Sequence, residues 1–190
     1  MASLVLSGDT SGSITVAAPA VAGSNTQTLV NVTGTLAPVV SGTAVTASGT
    51  SVDFTDIPSW AKRITVMFSG VSTNGSSNFQ VQLGSGSFTT SGYSGSVSNE
   101  AGSSGAVFSA GFVFQIAGSA GQSVIGIMSI TLLTLNTWVE TSSISDSGAT
   151  TALRHGNGSI ALSGTLDRVR ITTVNGTDTF DAGTINILYE

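Results

Sequence analysis

The chain has 190 residues, of which only 8% are charged, against roughly a quarter in an ordinary soluble domain. Ten acidic and five basic residues give a net charge of −5, and Lys62–Arg63 is the one adjacent basic pair, so the sequence offers no basic stripe for nucleic acid. The absence of cysteine and the single histidine exclude disulfides and a zinc site built from Cys and His.

Residues 1–50 are short apolar pieces, such as "ITVAA" and "APVV", separated by Gly and Ser, and they contain no aromatic residue. A segment without large side chains cannot fill a core of its own. We therefore predict an extended N-terminal stem that is intertwined with identical copies, or an arm that docks on a larger assembly; a flexible, partly disordered arm is the alternative. The start lacks a basic region followed by a continuous apolar one, so we expect no signal peptide, and no apolar run is long enough to predict membrane insertion.

Residues 51–190 contain all the aromatic residues and a regular strand pattern. Strands are predicted in "KRITVMFSG", "NFQVQLG", "VFSAGFVFQI", "SVIGIMSITLLTL", "DRVRITTV" and "TINILYE". The fourth is apolar at consecutive positions, which is typical of a central strand covered on both faces. The likeness of "RITVMFSGVSTNG" to "VRITTVNGT" suggests that these two strands are neighbours in one sheet. We predict an all-β chain whose head domain is an antiparallel, jelly-roll-like β-sandwich.

Catalytic motifs are scarce. The only candidate base, His155, lies in the turn-like "LRHGNGS", and no Gly-x-Ser-x-Gly elbow accompanies it. Lys62 follows no glycine-rich phosphate loop. We therefore expect a protein that is not an enzyme.

Two pairs of carboxylates leave an alternative open. Asp53 with Asp56, and Asp178 with Asp181, have a spacing that suits glycoside hydrolysis or a calcium ion. Both pairs flank predicted turns, where Asp bonds to its own backbone. We favour this structural role and expect no cofactor and no metal.

Two long stretches rich in Gly and Ser, "GSGSFTTSGYSGSVSNEAGSSG" and "TSSISDSGATTALRHGNGS", are predicted to be loops between strands. Long loops on a rigid sandwich are common binding sites. Their side chains include the types that stack on and hydrogen-bond sugars; solvated connections without a specific role are the alternative. The predicted receptor-binding residues are Tyr93, Asn99, Glu100, Asp146, Arg154, His155 and Asn157.

Two segments, "FTDIPSWAKRITVMFSGVSTNGSSNFQVQLG" and "LSGTLDRVRITTVNGTDTFDAGTINILYE", resemble the C-terminal domain of bacteriophage and prophage tail-fibre-like proteins. The opening "LVLSGDTSGSITVAAPAVAGSNTQTL" is similar to the low-charge lead-in of phage fibre and other virion surface proteins. The resemblance implies a homotrimeric virion component with a stem or docking segment first and a β-sandwich head after it. It supplies no binding residues.

The low charge also suggests a homo-oligomer, because identical chains then cover much of one another's surface; a secreted, protease-resistant protein is a second interpretation. We expect a tail fibre or fibre tip, made in the host cytoplasm and located on the virion, that binds a bacterial surface glycan without cleaving it. Its N-terminal segment would contact other virion proteins of the tail or capsid. The alternative is a capsid decoration or head-fibre protein anchored to the shell by that segment, and a glycan-degrading depolymerase is disfavoured.

Overall fold

The structure is a computed structural model that describes residues 3–7, 11–17, 38–100, 105–114, 119–147 and 152–190. The chain divides into two compact units, residues 1–36 and 37–190. Within the described residues every regular element is a β-strand.

The strands are β1 (Ser3–Ser7), β2 (Ser13–Ala17), β3 (Val40–Ser41), β4 (Val45–Thr46), β5 (Ser51–Phe54), β6 (Arg63–Thr73), β7 (Phe79–Ser85), β8 (Ser87–Phe88), β9 (Ser94–Asn99), β10 (Gly105–Phe108), β11 (Phe112–Val113), β12 (Ser123–Thr134), β13 (Thr137–Ser147), β14 (Ala152–Ala161), β15 (Arg168–Thr173) and β16 (Phe180–Tyr189).

The first unit contains the antiparallel pair β1–β2, in which Ser3 lies opposite Ala17 and Ser7 opposite Ser13. Its described apolar side chains include Val5, Leu6 and Val16, which are all exposed. Most of the remaining predicted stem, residues 18–37, lies outside the described residues. Whether this segment intertwines with other copies stays a prediction.

The second unit consists of two antiparallel sheets, which confirms the predicted all-β sandwich. The large sheet has nine strands in the order β10-β9-β14-β13-β12-β6-β16-β3, with β4 also paired to β16. The small sheet has five strands in the order β11-β7-β15-β5, with β8 paired to β7. Strands β3 and β4, which fall in the predicted N-terminal segment 1–50, are therefore part of the second unit.

The core lies between the inner faces of the two sheets. Ile64, Val66 and Phe68 of β6 point into it, as their alternation predicts. The Phe68 ring stacks on Phe114 with centroids 4.5 Å apart, and Phe79 of β7 meets Phe114 edge-on at 5.9 Å. Burial of each such aromatic side chain stabilises the fold by about 1.5–3 kcal/mol.

The predicted pairing of the two similar segments is wrong. "RITVMFSGVSTNG" contains β6 of the large sheet, whereas "VRITTVNGT" contains β15 of the small sheet. The turns that follow them do meet, because Asn74 Oδ1 accepts a hydrogen bond of 2.9 Å from the Thr179 amide. The similarity thus marks two turns at one end of the sandwich, not two paired strands.

The segment "VFSAGFVFQI" is not one strand. Its first part belongs to β10 in the large sheet and its second part to β11 in the small sheet, so the chain crosses from one sheet to the other between Phe108 and Phe112. Both phenylalanines are nevertheless buried, as the alternation predicts. The end of the segment, including Ile116, lies outside the described residues.

As far as the structure describes them, the two Gly- and Ser-rich stretches, expected to be loops, contain strands. The first contains β9, and the second is most of the hairpin β13–β14. A Cβ on Gly95 or Gly158 would lie 2.5 Å or 2.9 Å from Cζ of Phe108. These glycines are needed because the Phe108 ring packs directly on the strand backbone.

Candidate functional site

The structure brings six of the seven predicted receptor-binding residues to three neighbouring strands of the large sheet. Strand β9 carries Asn99, β13 carries Asp146, and β14 carries Arg154, His155 and Asn157. Glu100 directly follows β9, and its amide donates a hydrogen bond to the Leu153 carbonyl of β14. Because successive side chains of a strand point to opposite faces, the six divide into an outer and an inner group.

The outer group consists of Glu100, His155 and Asn157. His155 Nε2 lies 3.0 Å from Glu100 Oε1, and the two side chains are 43% and 57% exposed. Asn157 is exposed two residues further along β14, on the same face as His155. The three side chains together present a carboxylate, an imidazole and an amide to solvent, which can donate hydrogen bonds to a ligand and accept them from it.

The inner group is centred on a buried ion pair. Asp146 accepts hydrogen bonds from Arg154 Nε at 2.6 Å and from the Ala152 amide at 3.0 Å. Both members of the pair are buried, and Asn99 lies opposite Arg154 in the register, facing the same interior. The Asp146–Arg154 pair holds the β13–β14 hairpin together and does not reach a ligand at the surface of the chain, whereas Asn99 is half-buried.

Tyr93 lies apart from these six residues, in the core. Its hydroxyl accepts a hydrogen bond of 2.7 Å from the Leu83 amide, and its ring meets Phe112 edge-on at 4.9 Å. Burial raises the pKa of Tyr93 to about 12, an effect that its hydrogen bond with the Leu83 backbone only partly offsets. Tyr93 thus fastens the start of β9 to β7.

Sequence reasoning missed a buried acid, Glu140 of β13. It is 5% exposed, and within the described residues neither of its carboxyl oxygens has a hydrogen-bond partner of good geometry. Burial raises the pKa of Glu140 to about 8, and the neighbouring Ser142 hydroxyl offsets only part of that rise. A usable signal was present: Glu140 falls in the inward-facing series that includes Trp138 and Ile144.

The carboxylate pairs take part in turn and strand contacts. Asp53 binds Arg170, whose Nε and Nη2 lie 2.8 Å and 2.7 Å from its two oxygens. Hydrogen bonds from Asn175 and from the Ser77 amide lower the pKa of Asp178. Asp181 accepts a hydrogen bond from a serine hydroxyl of β6.

Neither a metal cluster nor a membrane helix is found in the described part of the chain. No group of three or more His, Asp or Glu side chains converges there in a way that suits a metal ion. The same residues contain no helix long and apolar enough to cross a membrane.

The fold defines the class of protein as an antiparallel β-sandwich. Comparisons with protein-family models, with curated proteins and with solved structures found no match to the chain.

Proposed function

We propose that this protein is a non-enzymatic structural component of a bacteriophage virion, a homotrimeric tail fibre or fibre tip that binds a bacterial surface glycan without cleaving it. The low charge, the resemblance of the two quoted segments and the outer face of the large sheet support this proposal. The separate β1–β2 unit, with its exposed apolar side chains, suits attachment to other virion proteins. The same unit favours a second candidate, a capsid decoration or head-fibre protein anchored by its N-terminal segment.

The observation that carries the proposal is an apolar strip along β12 on the outer face of the large sheet. Ile125, Ile127 and Leu133 are 53%, 50% and 65% exposed. Met67 of β6 lies opposite Ile127 and extends the apolar surface sideways. From Ile125 to Leu133 the strip spans about 27 Å at about 3.4 Å per residue, with Ser129 and Thr131 between Ile127 and Leu133. We call these four residues the β12 strip.

The surface around the β12 strip carries almost no charge. As the structure describes β6, β12 and β13, Arg63 is the one charged residue that points outward from these strands. It is the first residue of β6, lies opposite Thr131 of β12 and pairs with Glu190. The other outward positions are mainly Ser and Thr, such as Thr65, Ser129 and Ser143. An apolar strip within an uncharged surface is typical of a protein interface.

A second and third copy of this chain are the occupants that fit the β12 strip. Chains that each carry a net charge of −5 repel one another, and they do so least where an uncharged face meets an uncharged face. Coverage by copies also explains why Ile125, Ile127 and Leu133 are apolar although they face away from the core of a single chain. In the assembly, both faces of β12 would be covered.

The outer group of Glu100, His155 and Asn157 lies on the same face of the large sheet as the β12 strip, and the proposal requires it to remain open in the assembly. His155 and Asn157 lie on β14, two strands from β12, which is a distance of about 10 Å. Three copies would present three such sites, and multivalency raises overall binding by roughly two to four orders of magnitude when the sites engage together. Individually weak glycan contacts are then sufficient for attachment.

The assembly part of the proposal is tested with Ile127→Glu, and Leu153→Glu is the matched control. Leu153 lies on the same outer face and is 47% exposed, but it belongs to β14. Both variants should fold, because substitutions at exposed positions rarely change stability by more than about 0.5 kcal/mol. In sedimentation velocity, Ile127→Glu should give monomers and Leu153→Glu should keep the wild-type trimer. A trimeric Ile127→Glu protein would contradict the interface.

The receptor part is tested by incubating the fluorescently labelled trimer with bacterial cells and with their isolated capsule and lipopolysaccharide. Saturable cell binding without oligosaccharide release is the expected result. His155→Ala should weaken this binding while leaving the mass of the assembly unchanged. Release of oligosaccharide would contradict the non-enzymatic assignment and would favour a depolymerase.

A further inference from the structure

Two cavities of about 220 Å³ each are lined by residues of the small sheet, and the second is also lined by β10 of the large sheet and by the crossover that follows it. Gln80 and Val174 line both cavities, so the two cavities adjoin each other. Gln80 lies on β7, and Val174 directly follows β15. We call the two cavities together the Gln80 groove. Each is smaller than the roughly 300–1,000 Å³ of a typical drug-sized site, which suits one small ring in each.

Strand register sets the polar side chains of the groove in two rows. Across β7, β15 and β5 the rows are Gln80–Thr172–Ser51 and Gln82–Arg170–Asp53. These residues share the face opposite to the one that packs in the core, since their neighbours in each strand point inward. The face therefore presents amide, hydroxyl and guanidinium groups at fixed spacings.

Gln80 is the most informative residue of the groove. It is 3% exposed, and its Nε2 donates a hydrogen bond of 3.3 Å to the Thr173 carbonyl. Its Oε1 has no hydrogen-bond partner among the described residues. An amide oxygen left unpaired in a buried position is destabilising, and a ligand hydroxyl that donates to it once the Gln80 side chain turns into the cavity removes that cost.

Arg170 makes the groove electrically neutral. It binds Asp53 through two parallel hydrogen bonds, and its guanidinium carbon lies 4.1 Å from the centroid of the Phe88 ring. The ion pair and the ring hold the guanidinium in one orientation, so its other N–H groups are positioned before a ligand arrives. Because the two charges cancel, the groove favours a neutral polar ligand over an anion.

The second cavity has a mixed wall. Val107, Phe108 and Val174 supply apolar surface, and Asn78 and Ser109 supply polar groups. A sugar ring has the same division, with hydroxyls around its edge and C–H groups on its faces. The polar cavity thus matches the edge of one ring, and the mixed cavity matches a face and an edge of the next.

We propose that the Gln80 groove binds a neutral oligosaccharide of hexose or N-acetylhexosamine units, with consecutive rings in its two cavities. Gln80, Gln82 and Arg170 would hydrogen-bond the hydroxyls of the first ring. This site goes beyond the proposed function, because it uses none of the outer-group residues and requires neither the trimer nor a place on a virion.

The experiment is an NMR titration of ¹⁵N-labelled wild-type protein, observing the side-chain amide signals of Gln80 and Gln82. The probes are maltotetraose, mannotetraose, a β-1,3-linked glucotetraose and tri-N-acetylchitotriose, each added separately. At least one of them should shift both signals saturably. Gln80→Met, which keeps the length of the side chain, should weaken that binding at least about tenfold, the factor expected for one lost hydrogen bond of about 1.4 kcal/mol.

His155→Ala is the control for location, since it changes the outer group on the large sheet and should leave the titration unchanged. Absence of a saturable shift at Gln80 and Gln82 with all four oligosaccharides would overturn the proposal, and so would equal binding by a folded Gln80→Met variant. If that variant does not fold, the wild-type titration alone decides. The mass of the assembly and its binding to cells are measured independently, so failure of the groove is distinguishable from failure of the proposed function.

Discussion

Replacing Glu140 with glutamine should remove a pH dependence from the stability of the protein. The carboxyl lies on the inner face of β13, opposite Gly158 and beside Ser142. The charged groups that share this face, Asp146 and Arg154, are engaged with each other. Glutamine has nearly the shape of a protonated glutamic acid but does not ionise, so the substitution isolates the charge.

The expected size follows from the raised pKa of about 8, compared with an ordinary value of 4.5. Below pH 4.5 the carboxyl is protonated in both the folded and the unfolded chain and has no pH-dependent effect. Between pH 4.5 and 8 the unfolded chain releases the proton and the folded chain keeps it, so stability falls by up to about 1.4 kcal/mol per pH unit. By pH 7 the accumulated loss is on the order of 3 kcal/mol, and it levels off above pH 8.

The assay is urea denaturation of the wild type and of Glu140→Gln across this pH range, at one fixed protein concentration because assembly shifts the apparent stability. The free energy of unfolding of the variant should exceed that of the wild type by an amount that increases steadily as the pH rises. Glu100→Gln, at an exposed position, is the control and should follow the wild type to within about 1 kcal/mol. Parallel stability curves for Glu140→Gln and the wild type would refute a buried, protonated Glu140.

Two further substitutions test the contacts of predicted site residues that the structure buries. Asp146→Asn leaves the Arg154 charge buried without its partner and should lower the free energy of unfolding by about 3–5 kcal/mol in urea denaturation. The control Asp53→Asn, at a partly exposed pair, should lower it by less than about 1 kcal/mol. Equal effects would contradict the burial of the first pair. Tyr93→Phe removes the acceptor of the Leu83 amide and should lower the free energy of unfolding by about 1–3 kcal/mol without changing cell binding. Reduced cell binding by a fully folded variant would instead indicate that Tyr93 takes part in receptor binding.

The fold class follows from the sequence because large apolar residues alternate along β6 and β7. Phe79, Val81 and Leu83 face the core as predicted. The pattern fails where glycine occurs for close packing and not for a turn, as at Gly95 and Gly158 beneath the Phe108 ring. A stretch rich in such glycines has the composition of a loop, so the sequence pattern did not identify β9 and β14 as strands.

The candidate site was predicted less well than the fold, for a related reason. Residue type identifies Asp146 and Arg154 as hydrogen-bonding groups. Only the register shows that their side chains face the interior, whereas those of His155 and Asn157 face outward. The Gln80 groove was missed because its rows join strands distant in sequence, as with Gln82 opposite Arg170. Alternation marked these side chains as pointing away from the core without showing that they line cavities.

The central claim, that identical copies cover the uncharged outer face, is tested most directly by the mass of the native full-length protein in solution. Native mass spectrometry and sedimentation velocity over a range of concentrations should both give a particle of three 18.9-kDa chains. A well-folded monomer at all concentrations would contradict the account, because the β12 strip would then be exposed without a partner.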